Sequence, residues 1–361
     1  MERSLIKEVN KKSMAARLNT SAVLPMVFPN FFRIKQRDNL MWETLQGEKG
    51  VPVMADVISF DSKAPSKTRE IVNKMSGSIP KIAIERSMNE SDYNTYINLS
   101  KYVQGDAGLK SLLDLAFQDF DFCYNGVRGR MEYLALQAAS KATISLSKTN
   151  NGAGLITEAA IDFGVPVANK TAVTTVWSSG STATPLSDIE AKIEAIYNAS
   201  GRVIRYVIMD QSDFANLKKA TDTINKVKAY INSKDNYIVT KETINAYMLA
   251  NLGATIVTVR ASVRNESAGH ARTSLNPWNT GYVLFSESMI IGDIQHGPIA
   301  VESNAEAQKI ATMTKQDFVL MSKYSTLNPF KEWTTGEANA FPVLNDPTGL
   351  YYLKVDGTEW S

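Results

Sequence analysis

Few side chains in this chain combine a reactive type with a useful spacing. The histidines are His270 and His296, and neither has a metal-ligating residue three or four positions later. Neither therefore opens a metal site. Ser267-Ala268-Gly269-His270 is not a nucleophile elbow, which needs Gly-x-Ser-x-Gly between a strand and a helix. Asn151-Gly152-Ala153-Gly154 lacks the Gly-Lys-Ser/Thr ending of a phosphate loop and reads as a turn. Asp210 closes the apolar run Val203–Met209. A carboxylate there could face a ligand at the end of a doubly wound sheet. It could equally cap the next helix, with Asp213 in its first turn, and the cap is the preferred reading. No catalytic, cofactor-binding or metal-ligating set emerges.

The charges that do cluster are Lys63, Lys67, Arg69, Glu70, Lys74 and Arg86. Asp56, Asp61 and Glu85 interleave with them, and no aromatic residue lies among the lysines to stack a base. Mixed signs suit another protein surface better than a nucleic acid. These six residues are therefore candidates for contact between subunits.

The elements that would present them are unusual. Val51–Phe60 and Ser78–Arg86 read as two extended segments joined by a charged loop. A lone two-stranded hairpin is marginal in water, and an unpaired edge invites a partner. Such an arm needs a surface to lie on, and a neighbouring subunit supplies one.

Around the arm, residues 1–20 suggest a short basic helix with Leu5, Ile6, Val9 and Leu18 on its apolar side. Phe28, Phe31 and Phe32 mark a docking point on apolar surface. Ser91–Gln104 is a candidate helix, with Gly105 and Gly108 as its breakers. Leu109–Ser145 carries the longest helical signal, in which Gly126 and Gly129 are expected to bend or interrupt the helix. Val165–Trp177 is β-rich, and Trp177–Pro185 is the best internal boundary. Beyond it the pattern is α/β. Ser187–Glu190 suggests a capping box, with Gly201 ending that helix. Val203–Met209 is a strand, and Asp210 caps a helix through Lys219. Thr240 caps Lys241–Asn251, which Gly253 closes. Ala254–Arg260, Gly281–Phe285 and Met289–Ile291 read as strands. From Ile310 the pattern is mixed strand, and the end is rich in Pro and Gly.

Bulk properties fit a folded, near-neutral protein. The chain has 361 residues, a formal charge of +2 and one cysteine. Binding of DNA by overall charge is not supported, although Arg3, Lys7, Lys11, Lys12, Arg17, Arg33, Lys35, Arg37 and Lys49 make the first 49 residues basic. Cys123 excludes an internal disulfide and a cysteine zinc site. No signal-peptide core or membrane span is read, so synthesis and use in a cytoplasm are expected.

The order of elements, together with three stretches, resembles a known family. The stretches are Pro185–Glu190 through Met209 and Asp213-Phe214, then Leu249–Val259, then Asn276–Phe285 with Ile291–Ile299. Together they resemble tailed-phage major capsid proteins of the HK97 fold, and more narrowly the lambda-type major capsid protein E family. The resemblance implies an α+β chain divided into an N-arm (1–50), an extended β-hairpin E-loop (51–88), a P-domain (89–184) with a spine helix (109–145), an α/β A-domain (185–295), a P-domain return (296–345) and a C-terminal tail (346–361). It implies capsomers of six and five copies, an icosahedral-type shell around double-stranded DNA, and residence in the virion after assembly in the host cytoplasm. Implied partners are further copies of the chain, a scaffolding protein, a portal and a decoration protein, with no cofactor and no membrane. Some members crosslink an E-loop lysine, for which Lys63, Lys67 and Lys74 stand at suitable positions. An encapsulin-like shell and an α/β enzyme centred on residues 185–295 are the alternatives.

Overall fold

The computed structural model describes residues 6, 9–19, 24–46, 73–102, 105–147, 150–151, 159–232, 238–266 and 271–360. Val51–Phe60, Lys63, Lys67, Arg69, Glu70, the turn at 152–154 and His270 lie outside them.

Helix α1 (Lys11–Leu18) is capped by Asn10, which exchanges hydrogen bonds with Ser13. After it come β1 (Phe32–Gln36), β2 (Met41–Gln46), β3 (Asn73–Ser78), β4 (Lys81–Asn89), α2 (Glu90–Tyr102) and α3 (Gly105–Lys141). Helix α3 has 37 residues, about 55 Å at ~1.5 Å rise per residue. It is followed by β5 (Thr143–Leu146), β6 (Ala159–Asp162), β7 (Lys170–Ala172), α4 (Pro185–Ser200), β8 (Tyr206–Asp210), α5 (Gln211–Lys219), α6 (Thr221–Tyr230), α7 (Lys241–Leu252) and β9 (Thr255–Val259). The chain ends through β10 (Val263–Glu266), β11 (Arg272–Leu275), β12 (Tyr282–Ser286), β13 (Gly292–His296), α8 (Ala300–Ser303), α9 (Ala305–Ile310), β14 (Thr312–Gln316), β15 (Val319–Leu327), β16 (Phe330–Leu344) and β17 (Tyr351–Lys354).

Two larger sheets organise the described residues. The first runs β1-β13-β16-β15-β14, with β4 also on β16, and the second runs β7-β17-β12-β8-β9. Period-two alternation decides what each strand of the second sheet touches. Val207 and Met209 of β8, Val283 and Phe285 of β12, and Tyr351 and Leu353 of β17 pack with Ile189 and Ile193 of α4, Leu217 of α5 and Met248 of α7. The intervening Ile208, Leu284 and Tyr352 join the core that holds Ala135, Ala138 and Ala139 of α3. The C-terminal half of α3 is thus shared by both layers, which explains its run of small residues.

Several expectations need correction. The strand read as Ser78–Arg86 is two strands. Ser78 ends β3, whereas β4 pairs with β16 along its whole length, Lys81 opposite Asn339 through Asn89 opposite Lys331. Ile82, Ile84 and Met88 pack against the core, so β4 belongs to the first sheet and not to a free arm. The long helix spans Gly105–Lys141 rather than 109–145, because Thr143–Leu146 pairs as β5 with β6. Gly108, Gly126 and Gly129 do not break it. A Cβ on Gly126 would stand 2.8 Å from Ile84 Cδ1, and one on Gly336 of β16 would stand 2.9 Å from the Cys123 carbonyl oxygen. Both glycines let helix and sheet cross closely.

Helix α4 starts at Pro185 after Thr184, which makes no side-chain cap. Ser187 instead donates its backbone N–H and its hydroxyl to Asp222 of α6, so the capping carboxylate comes from a neighbouring helix. Val203 and Ile204 precede β8, and Met289–Ile291 precedes β13 rather than forming a strand. In Val165–Trp177 the strand is confined to Lys170–Ala172, which pairs with β17. The segment from 346 onward is therefore no free tail, since β17 lies between β7 and β12 in the second sheet.

Candidate functional site

The charged segment around Lys63–Lys74 is rooted by β2 and β3, which pair antiparallel from Met41 opposite Ser78 to Gln46 opposite Asn73. The chain leaves and re-enters the described fold at adjacent points. Side chains of β2 fasten this root. Trp42 stacks on Phe341 at 5.7 Å and meets Phe163 at 6.0 Å. Gly77 lies against the indole, where a Cβ would come within 2.7 Å of Nε1. Thr44 donates its hydroxyl to the Leu344 carbonyl at 2.6 Å. Gln295 of β13 accepts from Arg37 Nε and Glu43 N–H, and donates to the Glu43 carbonyl.

Two of the six predicted contact residues are described. Lys74 pairs with Glu43 at 2.7 Å across the β2–β3 ladder, and the hydrogen bond from Lys74 holds the Glu43 carboxyl below its usual range. This pair is exposed and contributes little to folding. Arg86 lies on β4, 3.3 Å from Asp119 of α3, with its guanidinium over the Phe122 ring at 4.6 Å. The structure thus places Lys74 at the root of the charged segment and Arg86 against the long helix of its own chain.

A stripe on α3 grips the N-terminal segment. Arg17 donates to Asp121 and Asp114. The Leu24 N–H donates to Asn125, while Arg128 donates to the Leu24 carbonyl. Glu132 accepts from Val27 and Phe28 N–H. Residues 114, 121, 125, 128 and 132 share one helix face. Glu132 is 3 % exposed, and burial raises its carboxyl despite those backbone donors. Phe28, Phe31 and Phe32 are buried in the chain's own core. The sequence marked the aromatic cluster but not Glu132. The recurrence of Asp114, Asp121, Asn125, Arg128 and Glu132 at three-, four- and seven-residue steps was the available signal.

The Asp210 reading is settled by geometry. One carboxylate oxygen accepts from Ser212 N–H and hydroxyl, and the other accepts from Asn276 Nδ2 at 2.9 Å. An open cleft lies beside it, lined by Ser212, Arg260, Ser262, Ser274 and Asn276, but the carboxylate is committed as a helix cap. His296 lies buried on β13, and burial lowers its pKa. Among the described residues no three His, Cys, Asp or Glu are grouped to hold a metal, and no helix is long and apolar enough to cross a membrane.

Asp213 is the strongly shifted carboxyl. Burial pushes it from 3.8 to about 7, although it accepts the Gly281 N–H; Asp210 and Asp356 add repulsion. The folded state therefore holds a proton that the unfolded chain releases near pH 4. Stability falls as pH rises through about 4–7 and is flat above, a window worth up to about 4 kcal/mol. Asp213→Asn should flatten that slope in urea titrations at pH 5 and pH 8. An unchanged slope would assign the pH dependence to other groups.

Two layered sheets share one long helix, a charged segment is rooted on β2 and β3, and the carboxylate that ends β8, Asp210, is consumed as a cap. This is the α+β architecture of HK97-like phage capsid subunits, as expected. A crystal structure of a candidate prophage capsid protein from E. coli CFT073 superposes with a TM-score of 0.57 at 14% identity, covering 96% of this chain and 99% of that one. A phage-related protein from Bordetella bronchiseptica RB50 gives 0.52 at 14% identity, with 100% of both chains covered. No curated protein matches the sequence. The profile of phage major capsid protein E matches residues 25–355, so the chain belongs to that family. It is a structural protein of the phage virion, assembling into a capsid shell, and not an enzyme.

Proposed function

We propose that the chain assembles through capsomers of six and five into a closed icosahedral-type shell around double-stranded DNA. The observation that carries this reading, beside family membership, is the fastened β2–β3 root. Gln46 and Asn73 pair at its open end, where the chain runs on into residues 47–72. In this reading Lys63, Lys67, Arg69, Glu70 and Lys74 meet a neighbouring subunit, and many modest contacts add through multivalency. The E-loop is then 47–72 on its β2–β3 stem. The P-domain is the first sheet with α3, and the A-domain is the second sheet with α4–α7, β7 and β17. A scaffolding protein, a portal and a decoration protein are the proposed further partners, with assembly in the host cytoplasm. An encapsulin-like shell is not favoured by the family match.

The experiment replaces residues 47–72 by a two-residue turn and compares assembly by light scattering. The shortened chain should fold, with a cooperative unfolding transition like that of the full chain, yet remain as small species where the full chain forms large particles. Particles of normal size and yield from the shortened chain would overturn the role given to this segment.

A further inference from the structure

Under α3 the first sheet carries a buried pair of opposite charges. Lys323 of β15 and Glu332 of β16 are each 1% exposed, and Nζ stands 3.7 Å from Oε1. The register sets Lys323 opposite Thr334 and Ser325 opposite Glu332. The two side chains are therefore diagonal neighbours on one face, within reach of each other. Helix α3 closes that face, since Cys123 Sγ donates to the Thr334 carbonyl at 3.4 Å. Asp119, one turn earlier on α3, acts on Lys323 electrostatically. Burial drives the ammonium of Lys323 toward the free amine. Separated charges gain little in such a site after desolvation.

We propose that Lys323 and Glu332 form a covalent modification site, an amide between Lys323 Nζ and Glu332 Cδ within one chain. The nitrogen lone pair forms the N–C bond, one Cδ–O bond breaks, and that oxygen leaves as water. An ammonium and a carboxylate together hold all the atoms of the amide and one water. No oxidant, nucleotide or second enzyme is needed. Asp119, 3.3 Å from Arg86, is a further carboxylate whose charge acts on Lys323. Exclusion of bulk water keeps the amide from hydrolysing. The bond would strap β15 to β16 below their turn, where Leu327 is 83% exposed, and keep that projecting end from fraying.

The test is the mass of the purified, denatured full-length chain. The expected result is a chain one water lighter than its sequence. Trypsin should then release a branched peptide, residues 316–331 joined through Lys323 to residues 332–354. Glu332→Ala and Lys323→Arg, which cannot form the amide, serve as mass controls and need not fold. A chain at full sequence mass, with free peptide 316–323, would overturn the proposal and leave a plain buried ion pair.

Discussion

Glu132→Ala is expected to lower the unfolding free energy of the unassembled subunit by about 2–4 kcal/mol, because it strands buried donors of a charge-assisted contact. The carboxylate receives the Val27 N–H at 2.9 Å and the Phe28 N–H at 2.7 Å. Both groups lie where the N-terminal segment turns inward, and Phe28 meets Phe318 edge-on at 6.2 Å. Without the acceptor, that turn must open to water or remain unsatisfied. The loss should fall unevenly. Arg17 and Leu24 are held by separate bonds from Asp114, Asp121, Asn125 and Arg128, so the end near Arg17 stays clasped while the segment around Val27 loosens. Denaturant titration reads the first effect, and limited proteolysis at residues 24–28 reads the second. Glu132→Gln keeps one acceptor oxygen and should lose less than half as much. Equal stability of Glu132→Ala and the parent would show that α3 does not anchor this segment.

Gly336→Val should also destabilise the subunit, by overpacking. The Cβ position is 2.9 Å from the Cys123 carbonyl oxygen and 3.2 Å from its carbon, both backbone atoms of α3. A rotamer change cannot relieve the contact, so helix and sheet must separate. Overpacking of this kind costs about 1–3 kcal/mol. The separation also disturbs the packing of Ile84 on Gly126, which lies in the same crossing. Gly129 is the control, because nothing lies within 4 Å of a Cβ built there. Gly129→Ala should stabilise by up to about 1 kcal/mol through helix propensity. Thermal unfolding of both variants decides. If Gly129→Ala destabilised as much as Gly336→Val, the crossing would not be the cause.

The features legible in the sequence were those set by local chemistry. Asp210 and Thr240 cap α5 and α7, as their spacing to Ser212 and Thr243 requires. Gly201 and Gly253 end their helices in the left-handed region, at φ 66° in each case. Helix α3 was visible because it is long, although its glycines read as breaks until the sheet beneath them was known. What stayed hidden depended on distant partners. Residues 81–89 alternate like any half-buried strand, and only β16, about 250 positions later, decides that they join the first sheet. The same holds for Tyr351–Lys354, whose four residues are too few to announce a strand and whose place is fixed by β12 and β7. Of the charge cluster named from the sequence, Lys63, Lys67, Arg69 and Glu70 lie outside the described residues. The root of the segment was not legible, because Trp42, Thr44 and Gly77 matter through contacts with Phe341, Leu344 and one another. Arg86 was grouped with the cluster by proximity in sequence, yet β4 turns it toward Asp119.

The central claim is that this chain is a shell-building subunit. Negative-stain electron microscopy of the purified full chain, with and without a co-expressed scaffolding protein, tests it most directly. Closed shells, or rings of five and six, are the predicted result. A stable, monodisperse monomer under both conditions would contradict the account.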